Sequence, residues 1–594
     1  MCGICGFLGL NDEELLRRMC KVIAHRGPDD EGIYLHENVG LGHRRLSIID
    51  LTKGHQPMFN EDGSIAVVFN GEIYNYLDIK RDLEKKGHVF NTSCDTEVLI
   101  HLYEEYRGNC VNYLNGMFAF AIWDNNRREL FLARDRLGIK PLYYAEINGK
   151  LLFASEIKAI LQYNSYERQV NYKGIDKLLT FGFIPGEETL FKNIFKLLPG
   201  HTLTHRDGHF EIRRYWDYHP EINHKMRTEE IVEQIYELLK DAVKIRLMSE
   251  VPLGATLSGG IDSSTIVALM SQLSDKPVKT FTVGFGEEES DEFKYARLIA
   301  KQFNADHHEY IVSYPDMTEL LPEILWYQEE PITCGALAPT YFLAKTIKPY
   351  VTVALIGEGA DELFAGYKRF KFMSPLVRLL PNQIRHYGYL SLLNSYTKGQ
   401  KELLYTEMMK SLVKTDSDPL SVYYDYFNDD DALTCALHFE VEHELPDFQL
   451  MRVDKMTMHC SVEARVPFLD HRLVELTAQI PSYLKLKKFN EKYILRQVVK
   501  DLLPETIRTR RKKGLTTPFI SWFEKGFERM VRDVLSEKNL RKRGIFQRGY
   551  IDHLLRNNRH PIWKRKFMYQ LLILVLIEYW FQIFIDEKLK IENS

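Results

Sequence analysis

Short runs of alternating apolar and polar residues dominate the chain up to about residue 215. This alternation is typical of half-buried β-strands, and the clearest four runs are Ile65–Phe69, Met117–Trp123, Glu129–Ala133 and Lys150–Ala154. Helical periodicity interrupts them at Glu13–Val22 and Thr96–Tyr106. The pattern predicts an α+β unit over residues 1–215.

A different pattern begins after residue 227, where apolar, β-branched runs alternate with amphipathic segments, as in a parallel sheet with crossover helices. The predicted strands are Pro252–Leu257, Val278–Phe285, His308–Ile311 and Val351–Ile356. The predicted helices are Glu229–Met248, Ser264–Leu273 and Asp291–Phe303. From about residue 370 the periodicity is mostly helical, so residues 228–594 are predicted to form an α/β unit with a mostly helical C-terminal part.

The segment 216–227 fits neither pattern. It contains Pro220 and several histidines and has no periodic apolar positions, which is typical of a linker. At 594 residues the chain is also too long for a single hydrophobic core. We therefore expect two domains, 1–215 and 228–594, joined by this linker.

One segment near the C-terminus, Phe567–Ile585, is apolar enough to resemble a membrane span. It carries Gln570, Glu578 and Gln582, which fall on one side of a helix. A buried core helix with one polar stripe explains this pattern, and we expect no membrane association. The first residues lack the basic start and long apolar stretch of a secretory signal, so no export is predicted.

Charge and cysteine content favour a small-molecule enzyme. A formal net charge of -4 gives no general field for holding nucleic acid or an anionic membrane. The eight cysteines are too sparse and irregular for a disulfide framework and favour a reducing, cytoplasmic compartment. Cys2 and Cys5 form a CxxC pair, but a structural zinc site needs two more close ligands, and a redox pair belongs between a strand and a helix.

Cys2 directly follows the initiator methionine. Removal of that methionine leaves a thiol and a free α-amine on one residue, and such an amine can act as general base for its own thiol. Taken alone, the position of Cys2 is weak evidence for a nucleophile, because many proteins begin with Met and Cys by chance. The motifs that follow give it weight.

Five motifs accompany Cys2: His25-Arg26-Gly27-Pro28-Asp29, Arg45-Leu46-Ser47-Ile48, Asn70-Gly71-Glu72-Ile73-Tyr74-Asn75, Asp95-Thr96-Glu97 and the run from Arg134 to Tyr143. Together they closely resemble the class II glutamine amidotransferase domain, an N-terminal-nucleophile hydrolase with an αββα fold. The resemblance implies that Cys2 is the nucleophile and that Asn70 and the Gly71 N–H form the oxyanion hole. It implies a glutamine-binding set made of Arg45, Leu46, Ser47, Ile48, Ile49, Asn70, Gly71, Glu72 and Asp95.

Those residue types suit a zwitterionic ligand. An amino-acid head group needs a cation for its carboxylate, which Arg45 matches, and anions for its amine, which Glu72 and Asp95 match. Each of these residues alone is more often part of a surface ion pair or a turn. As a spaced set they favour binding.

A glycine-rich turn, Ser258–Ser264, follows the predicted strand that ends at Leu257 and opens a helix. Backbone N–H groups and the positive end of the helix dipole predict a phosphate site there. The turn lacks the Gly-Lys-Ser/Thr end of a Walker loop and the spaced glycines of the dinucleotide fingerprint. Its SGGxDS form resembles the pyrophosphate loop of the N-type ATP pyrophosphatases.

A second cluster, Gly357–Tyr367, follows the predicted strand Val351–Ile356 and is rich in carboxylates. Because ligands bind at the carboxyl ends of parallel strands, Asp262 and Asp361 are predicted to share Mg2+ ions that bridge ATP phosphates. Lys455 matches a phosphate-contacting lysine of the family, although an isolated helix lysine is usually solvated.

The whole chain resembles the glutamine-hydrolysing asparagine synthetases. The resemblance implies glutamine hydrolysis at Cys2, ATP-dependent adenylation of aspartate, and amination of the intermediate by ammonia that travels through an internal tunnel. It implies a role for Glu358 in forming and aminolysing the intermediate. It implies an ATP-binding set made of Leu257, Ser258, Gly259, Gly260, Asp262, Ser263, Ser264, Val283, Ile356, Gly357 and Lys455.

One departure and two alternatives accompany this interpretation. Many relatives have serine where this chain has Ile356, which puts the nucleotide affinity and the identity of the acid in question. The acid's own site is placed in the loop Glu329–Ala336, whose acidic side chains either hold an α-ammonium or form a solvated loop face. The alternatives are a ligase of the same architecture acting on another carboxylate and a non-catalytic regulator or scaffold. The sequence leaves the oligomeric state open, a homodimer among the options.

Overall fold

In a computed structural model of the protein, the described residues are 2–286, 292–374, 380–393, 395–413, 419–424, 426, 431–511, 526–557 and 564–588. They contain three β-sheets. Two are antiparallel and come from the first 215 residues, and the third is parallel and comes from the rest.

Two six-stranded sheets, in the orders β10-β8-β9-β1-β3-β2 and β12-β11-β7-β6-β5-β4, form the first part of the fold. Their strands are β1 Gly3–Leu8, β2 Asp30–His36, β3 Val39–Arg45, β4 Met58–Phe59, β5 Ile65–Ile73, β6 Gly116–Asp124, β7 Glu129–Arg134, β8 Tyr143–Ile147, β9 Lys150–Ala154, β10 Phe195–Lys196, β11 His201–Arg206 and β12 His209–Arg214. The helices beside them are Glu13–Val22, Tyr76–Lys85, Glu97–Tyr106, Ile157–Ile160 and Tyr172–Phe181.

The alternation of β5 shows why these sheets pack face to face. Val68 points into a buried cluster shared with Leu41 of the other sheet. Its neighbour Phe69 points the other way, into a cluster shared with the helix Glu97–Tyr106. Phe7 of β1 likewise faces the helix Glu13–Val22. The predicted αββα fold is therefore confirmed.

The third sheet has the order β15-β14-β13-β16-β17, with every neighbouring pair parallel. Its strands are β13 Leu253–Thr256, β14 Lys279–Gly284, β15 Asp306–Ile311, β16 Val353–Leu355 and β17 Glu463–Arg465. Three helices correspond to the predicted ones: Thr228–Ile245, which precedes the sheet, and Ile261–Leu273 and Phe293–Gln302, which connect strands. Two further helices, Tyr314–Gln328 and Leu337–Ile347, lie between β15 and β16. The edge strand β17 was not predicted.

Helices dominate the rest of the described chain, which confirms the predicted C-terminal part. They are Ala360–Phe364, Asn382–Leu393, Lys398–Leu404, Glu407–Val413, Ser421–Tyr424, Ala432–Phe439, Met451–Met458, His471–Gln479, Ser482–Lys485, Tyr493–Val498, Glu505–Thr509, Glu528–Val534, Glu537–Arg543, Arg548–Asn557 and Lys564–Trp580. Wider π-helical turns cover Glu440–Leu450 and Phe581–Ile585.

The continuous helix Lys564–Ile585 is long and apolar enough to cross a membrane, and 78% of its most apolar window is buried inside the protein. Its polar side chains have partners. Gln570 donates from Nε2 to the Ser395 carbonyl at 2.8 Å, and Glu578 pairs with Arg543 at 2.9 Å. The helix is thus a buried core helix with one polar stripe, as the sequence predicts, although Oε1 of Gln570 is buried without a hydrogen-bond partner in the described chain.

Candidate active sites

The first candidate site lies where the two antiparallel sheets meet at the start of β1. The backbone N–H of Cys2 donates to Oδ1 of Asn70, on β5 of the other sheet, at 3.1 Å. Arg26 donates from Nε to the Cys2 carbonyl at 3.1 Å. Burial raises the pKa of the Cys2 thiol, so this thiol needs a base to become a nucleophile.

Asn70 and Gly71, the predicted oxyanion-hole residues, lie on β5 beside Cys2. Nδ2 of Asn70 is buried and has no hydrogen-bond partner among the described residues. A Cβ at Gly71 would lie 2.1 Å from the Met117 carbonyl oxygen, so the backbone fits only because this residue is glycine. A buried donor without a partner is costly in the resting state and is suited to negative charge that develops during a reaction.

A cavity with about 340 Å³ of empty space opens beside Cys2. It brings together most of the predicted glutamine-binding residues, while Asn70 lies just behind its wall and Ser47 lies outside its lining. The sequence analysis missed six lining residues, of which only Thr96 lies in one of the quoted motifs. They are Gly54, Gln56, Phe69, Cys94, Thr96 and Glu463.

Arg45 is a fixed cation at one end of this cavity. Its Nη2 donates to the carbonyls of Ile49 at 3.2 Å and Asp50 at 2.6 Å. A Cβ at Gly54 would lie 2.0 Å from the same nitrogen, so this glycine makes room for the guanidinium. The side chain is therefore preorganised to receive a carboxylate.

Two carboxylates mark another wall of the cavity. Asp95 accepts from the Ile73 N–H at 2.9 Å, and burial raises its pKa to about 6. Burial also raises the pKa of Glu72 well above its usual range, although Arg465 donates to its Oε2 at 2.7 Å. Buried carboxylates that are only partly compensated favour the arrival of a cation, such as the ammonium of an amino acid.

The second candidate site lies at the carboxyl ends of the parallel strands. The loop Ser258–Ser264 turns sharply at Gly259, whose φ is +67 and whose Cβ would lie 2.5 Å from Cβ of Tyr295. The Ser258 N–H donates to Oγ of Ser263 at 3.1 Å, which holds the loop at the start of the helix Ile261–Leu273. Loop N–H groups and helix dipole together favour an anion.

A cavity with about 480 Å³ of empty space borders this loop, and three cationic side chains line it. They are Lys492, Arg496 and Arg510. Arg510 also donates to the Gly259 carbonyl at 2.9 Å, so it holds the glycine turn in place. These cations and the loop N–H groups favour an anion, while Asp262 and Glu491 line the same cavity.

Lys492 joins the two predicted metal ligands. Its Nζ lies 2.6 Å from Oδ1 of Asp262 and 2.7 Å from Oδ1 of Asp361. Burial opposes a charged lysine, but these two carboxylates raise the pKa of Lys492. A Cβ at Gly366 would lie 1.8 Å from Oδ1 of Asp361, so this glycine lets the cluster form. Two carboxylates that converge on one cation also suit the oxygen-ligand preference of Mg2+.

The remaining predicted nucleotide contacts surround the same strand ends. Leu257 and Val283 follow β13 and end β14, and both are buried. A Cβ at Gly357 would lie 3.0 Å from Cβ of Asp262, so the two glycine loops touch. The Ile356 N–H donates to the Arg465 carbonyl at 2.8 Å, and Oγ of Ser264 is buried without a hydrogen-bond partner in the described chain.

A family model described as asparagine synthase matches residues 234–582, and one described as a glutamine amidotransferase domain matches residues 1–216. The chain belongs to the asparagine synthetase family. It is 35% identical to asparagine synthetase [glutamine-hydrolyzing] 1 of Bacillus subtilis, with 90% of each chain covered. It is 32% identical to asparagine synthetase 3 of the same organism, with 93% of each covered. It is 30% identical to the amidase chyE of Penicillium rubens, with 92% of this chain and 93% of the relative covered.

In this member of the asparagine synthetase family, Glu358 lies at the mouth of the second glycine loop. Its Oε1 accepts from Nη2 of Arg452 at 3.1 Å. Nη1 of the same arginine lies 3.8 Å from Sγ of Cys334. A charge-assisted hydrogen bond therefore ties Glu358 to Arg452.

The prediction that Lys455 contacts a phosphate stays untested, and this structure gives Lys455 other partners. Its Nζ is buried and donates to the Gln328 carbonyl at 3.1 Å and to Oε2 of Glu329 at 2.5 Å. Lys455 does not line the cavity beside the Ser258–Ser264 loop, where Lys492 lies instead. The sequence analysis did not single out Lys492, because no motif marks it.

The predicted acid-binding loop of this family member also needs correction. Glu329 is fully buried and accepts from the backbone N–H of Ile157 at 3.0 Å and Lys158 at 2.7 Å. Glu330 is buried and accepts from the Leu190 N–H at 2.7 Å. Both acids therefore tie the two parts of the fold together, and neither belongs to a solvated loop face.

Proposed function

We propose that this protein makes asparagine from aspartate, ATP and glutamine, with residues 1–215 as the glutaminase, 216–227 as a linker and 228–594 as the synthetase. The observation that carries the proposal is the presence in one chain of two complementary sites. One has a buried thiol beside an unpartnered amide donor, and the other has a glycine loop beside two aspartates and a lysine. Membership of the family supports both assignments.

At the first site we assign Cys2 as the nucleophile. Its α-amine, freed by removal of Met1, takes the thiol proton, and the thiolate attacks the side-chain amide carbon of glutamine. Asn70 Nδ2 and the Gly71 N–H stabilise the oxyanion as it forms. Ammonia leaves, and water then hydrolyses the thioester to release glutamate. Arg45 binds the substrate carboxylate, and Glu72 and Asp95 bind its ammonium.

At the second site the loop Ser258–Ser264 and the side chains of Lys492 and Arg510 hold the ATP phosphates. Asp262 and Asp361 are placed to hold Mg2+, which when bound neutralises phosphate charge and assists departure of pyrophosphate. The side-chain carboxylate of aspartate attacks the α-phosphorus and forms β-aspartyl-AMP. Lys492 orients both aspartates and remains charged beside the leaving pyrophosphate.

Ammonia from Cys2 then attacks the acyl carbon and releases AMP. Several buried ion pairs join the glutaminase part to the synthetase part, among them Arg26 with Asp454 at 2.8 Å and Arg465 with Glu72 at 2.7 Å. They support a closed interior path between the sites, because separating any of these pairs leaves an uncompensated buried charge. All eight cysteines are free, which supports a reducing, cytoplasmic location.

Glu358 is proposed to assist adenylation and aminolysis. We expect Glu358→Gln to lower amide formation by about 100-fold, because a positioned carboxylate contributes at least that much to proton transfer. Glutamine hydrolysis, measured as glutamate release without aspartate, should stay close to wild type. Asp275→Asn, at an exposed turn of the synthetase part, serves as the control. Amide formation by Glu358→Gln at the wild-type rate would remove its catalytic role.

The substrate is tested with ATP, glutamine and a panel of acids. L-aspartate alone among small dicarboxylates should give magnesium-dependent AMP and pyrophosphate, with asparagine as the product. The amidase chyE of Penicillium rubens, similar over almost the whole chain, makes the panel necessary. If aspartate fails and a larger acid gives AMP, the protein is a ligase for another carboxylate, and Ile356 is the first residue to exchange for serine.

A further inference from the structure

The edge strand β17 belongs to the parallel sheet, yet one of its side chains lines the cavity beside Cys2. Glu463 contributes to that lining together with Arg45, Glu72 and Asp95. The glutamine cavity is therefore completed by a residue from the synthetase part. Because side chains two apart in a strand share a face, Arg465 points in the same direction as Glu463.

Four hydrogen bonds fix the guanidinium of Arg465 in one position. Its guanidinium is fully buried and donates to Oε1 of Glu463 at 2.6 Å and Oε2 of Glu72 at 2.7 Å. The same guanidinium donates to the carbonyls of Arg246 at 2.8 Å and Met248 at 2.5 Å. Its backbone carbonyl accepts from Ile356, so the sheet also fixes the main chain. Arg465 thus bridges two acids of the cavity from a rigid position.

Three acids of the cavity share one paired arginine, Arg465, so a further cation is favoured beside them. Glu72, Asp95 and Glu463 are all buried, and Arg465 pairs with two of them. Burial raises the pKa of Glu463, but nearby positive charges, Arg465 and Lys140 among them, outweigh it and lower that pKa. Glu463 therefore carries a negative charge at neutral pH, and it faces the same space as Glu72 and Asp95.

We propose that Glu463 is a third carboxylate for the α-ammonium of glutamine and that Arg465 is the positioning residue that orients Glu72 toward the same group. This inference rests on the proposed glutaminase function and adds a binding residue from the synthetase part. Glutamine recognition then requires the two parts to be docked, since neither part alone contains all three acids.

The test compares two substrates in the full-length enzyme. 4-Carbamoylbutanoate is glutamine without the α-amino group, so it keeps the amide and carboxylate but lacks the ammonium. Wild type should prefer glutamine in kcat/KM, and Glu463→Gln should reduce this preference about tenfold, mainly through the KM for glutamine. A purely structural role would weaken both substrates equally and leave the preference unchanged.

Glu578→Gln is the matched control, because it makes the same change in a buried ion pair with Arg543 in the C-terminal helices. It should leave the preference for glutamine as in wild type. Ammonia-dependent synthesis measured on each preparation reports whether the synthetase part has folded. If Glu463→Gln does not fold, Glu463→Asp keeps the charge on a shorter side chain and should give an intermediate preference.

Arg465 has a separate readout in the pH profile. The charged groups that face Glu72 are Arg465 and Glu463 from β17, Asp95 before the helix Glu97–Tyr106, and the N-terminal ammonium. Of these, Arg465 and the ammonium lower the pKa of Glu72, while both acids raise it. Arg465→Gln should therefore move the acid limb of kcat/KM for glutamine to higher pH, and Arg465→Lys should move it less.

The outcomes separate this inference from the proposed function. If wild type releases no glutamate from glutamine, the glutaminase assignment itself fails. If wild type hydrolyses glutamine and a folded Glu463→Gln variant keeps the full preference over 4-carbamoylbutanoate, only the third-carboxylate assignment is overturned. An unchanged acid limb in Arg465→Gln overturns the role given to Arg465.

Discussion

Cys2→Ala should lower glutamine-dependent synthesis by at least about 1,000-fold while ammonia-dependent synthesis continues at close to the wild-type rate. The thiol releases ammonia from glutamine, but it takes no part in activating the acid. Ammonia supplied from solution bypasses the missing step. The measurement is AMP and asparagine production with each nitrogen donor, at saturating ATP and aspartate.

Cys5→Ala is the control for this prediction. Its Sγ lies 3.6 Å from Sγ of Cys20 in the core beside the helix Glu13–Val22, and it is not among the residues that line the glutamine cavity. We expect glutamine-dependent synthesis to survive in this variant. Equal loss of both nitrogen routes in Cys2→Ala would contradict a two-site enzyme. Loss of glutamine use in Cys5→Ala would revive a joint role for the CxxC pair.

The second large effect is expected at Lys492. Lys492→Gln removes the cation that Asp262 and Asp361 share and leaves two partly buried carboxylates without their common partner. It also removes a positive charge from the proposed pyrophosphate site. We expect both glutamine-dependent and ammonia-dependent synthesis to fall by about 100- to 1,000-fold. Glutamine hydrolysis at Cys2 should remain.

Lys487→Gln provides the comparison, because Lys487 is an exposed lysine five positions earlier whose Nζ contacts only the Tyr493 hydroxyl in the described chain. Its activity should match wild type. Lys492→Arg keeps the charge and should retain measurable synthesis. It is the control for a folding defect in Lys492→Gln. Normal AMP release by a folded Lys492→Gln enzyme would exclude this lysine from the phosphate site.

Periodicity in the sequence located most of the fold. Each of the four predicted parallel strands lies within two residues of an observed one, because buried β-branched runs leave a strong signal. The edge strand β17 leaves none. Two of its three residues, Glu463 and Arg465, are charged, and they are buried only because they pair with each other and with Glu72. That compensation comes from a part of the chain far away in sequence.

The same limit explains the errors in the candidate sites. Motifs placed Cys2, Asn70 and the Ser258–Ser264 loop, because these residues need special local backbone or chemistry. They did not distinguish Lys455 from Lys492, since which lysine reaches Asp262 depends on packing between distant helices. They also left Glu329 as either an ammonium ligand or part of a solvated loop face, and in the structure it is a buried anchor for the turn at Ile157.

The position of the helix Lys564–Ile585 at the end of the chain affects folding during translation. Its apolar face completes a core that also contains residues of β1, and Arg168 donates to the Phe584 carbonyl across 416 residues of sequence. At translation speeds of about 5–20 residues per second, roughly 20–80 s pass between the synthesis of Arg168 and that of Phe584. During that interval the nascent N-terminal part exposes apolar surface to the ribosome exit and to chaperones. Slow translation of the last codons would lengthen this exposure. A chain that ends before this helix would leave the apolar surface uncovered.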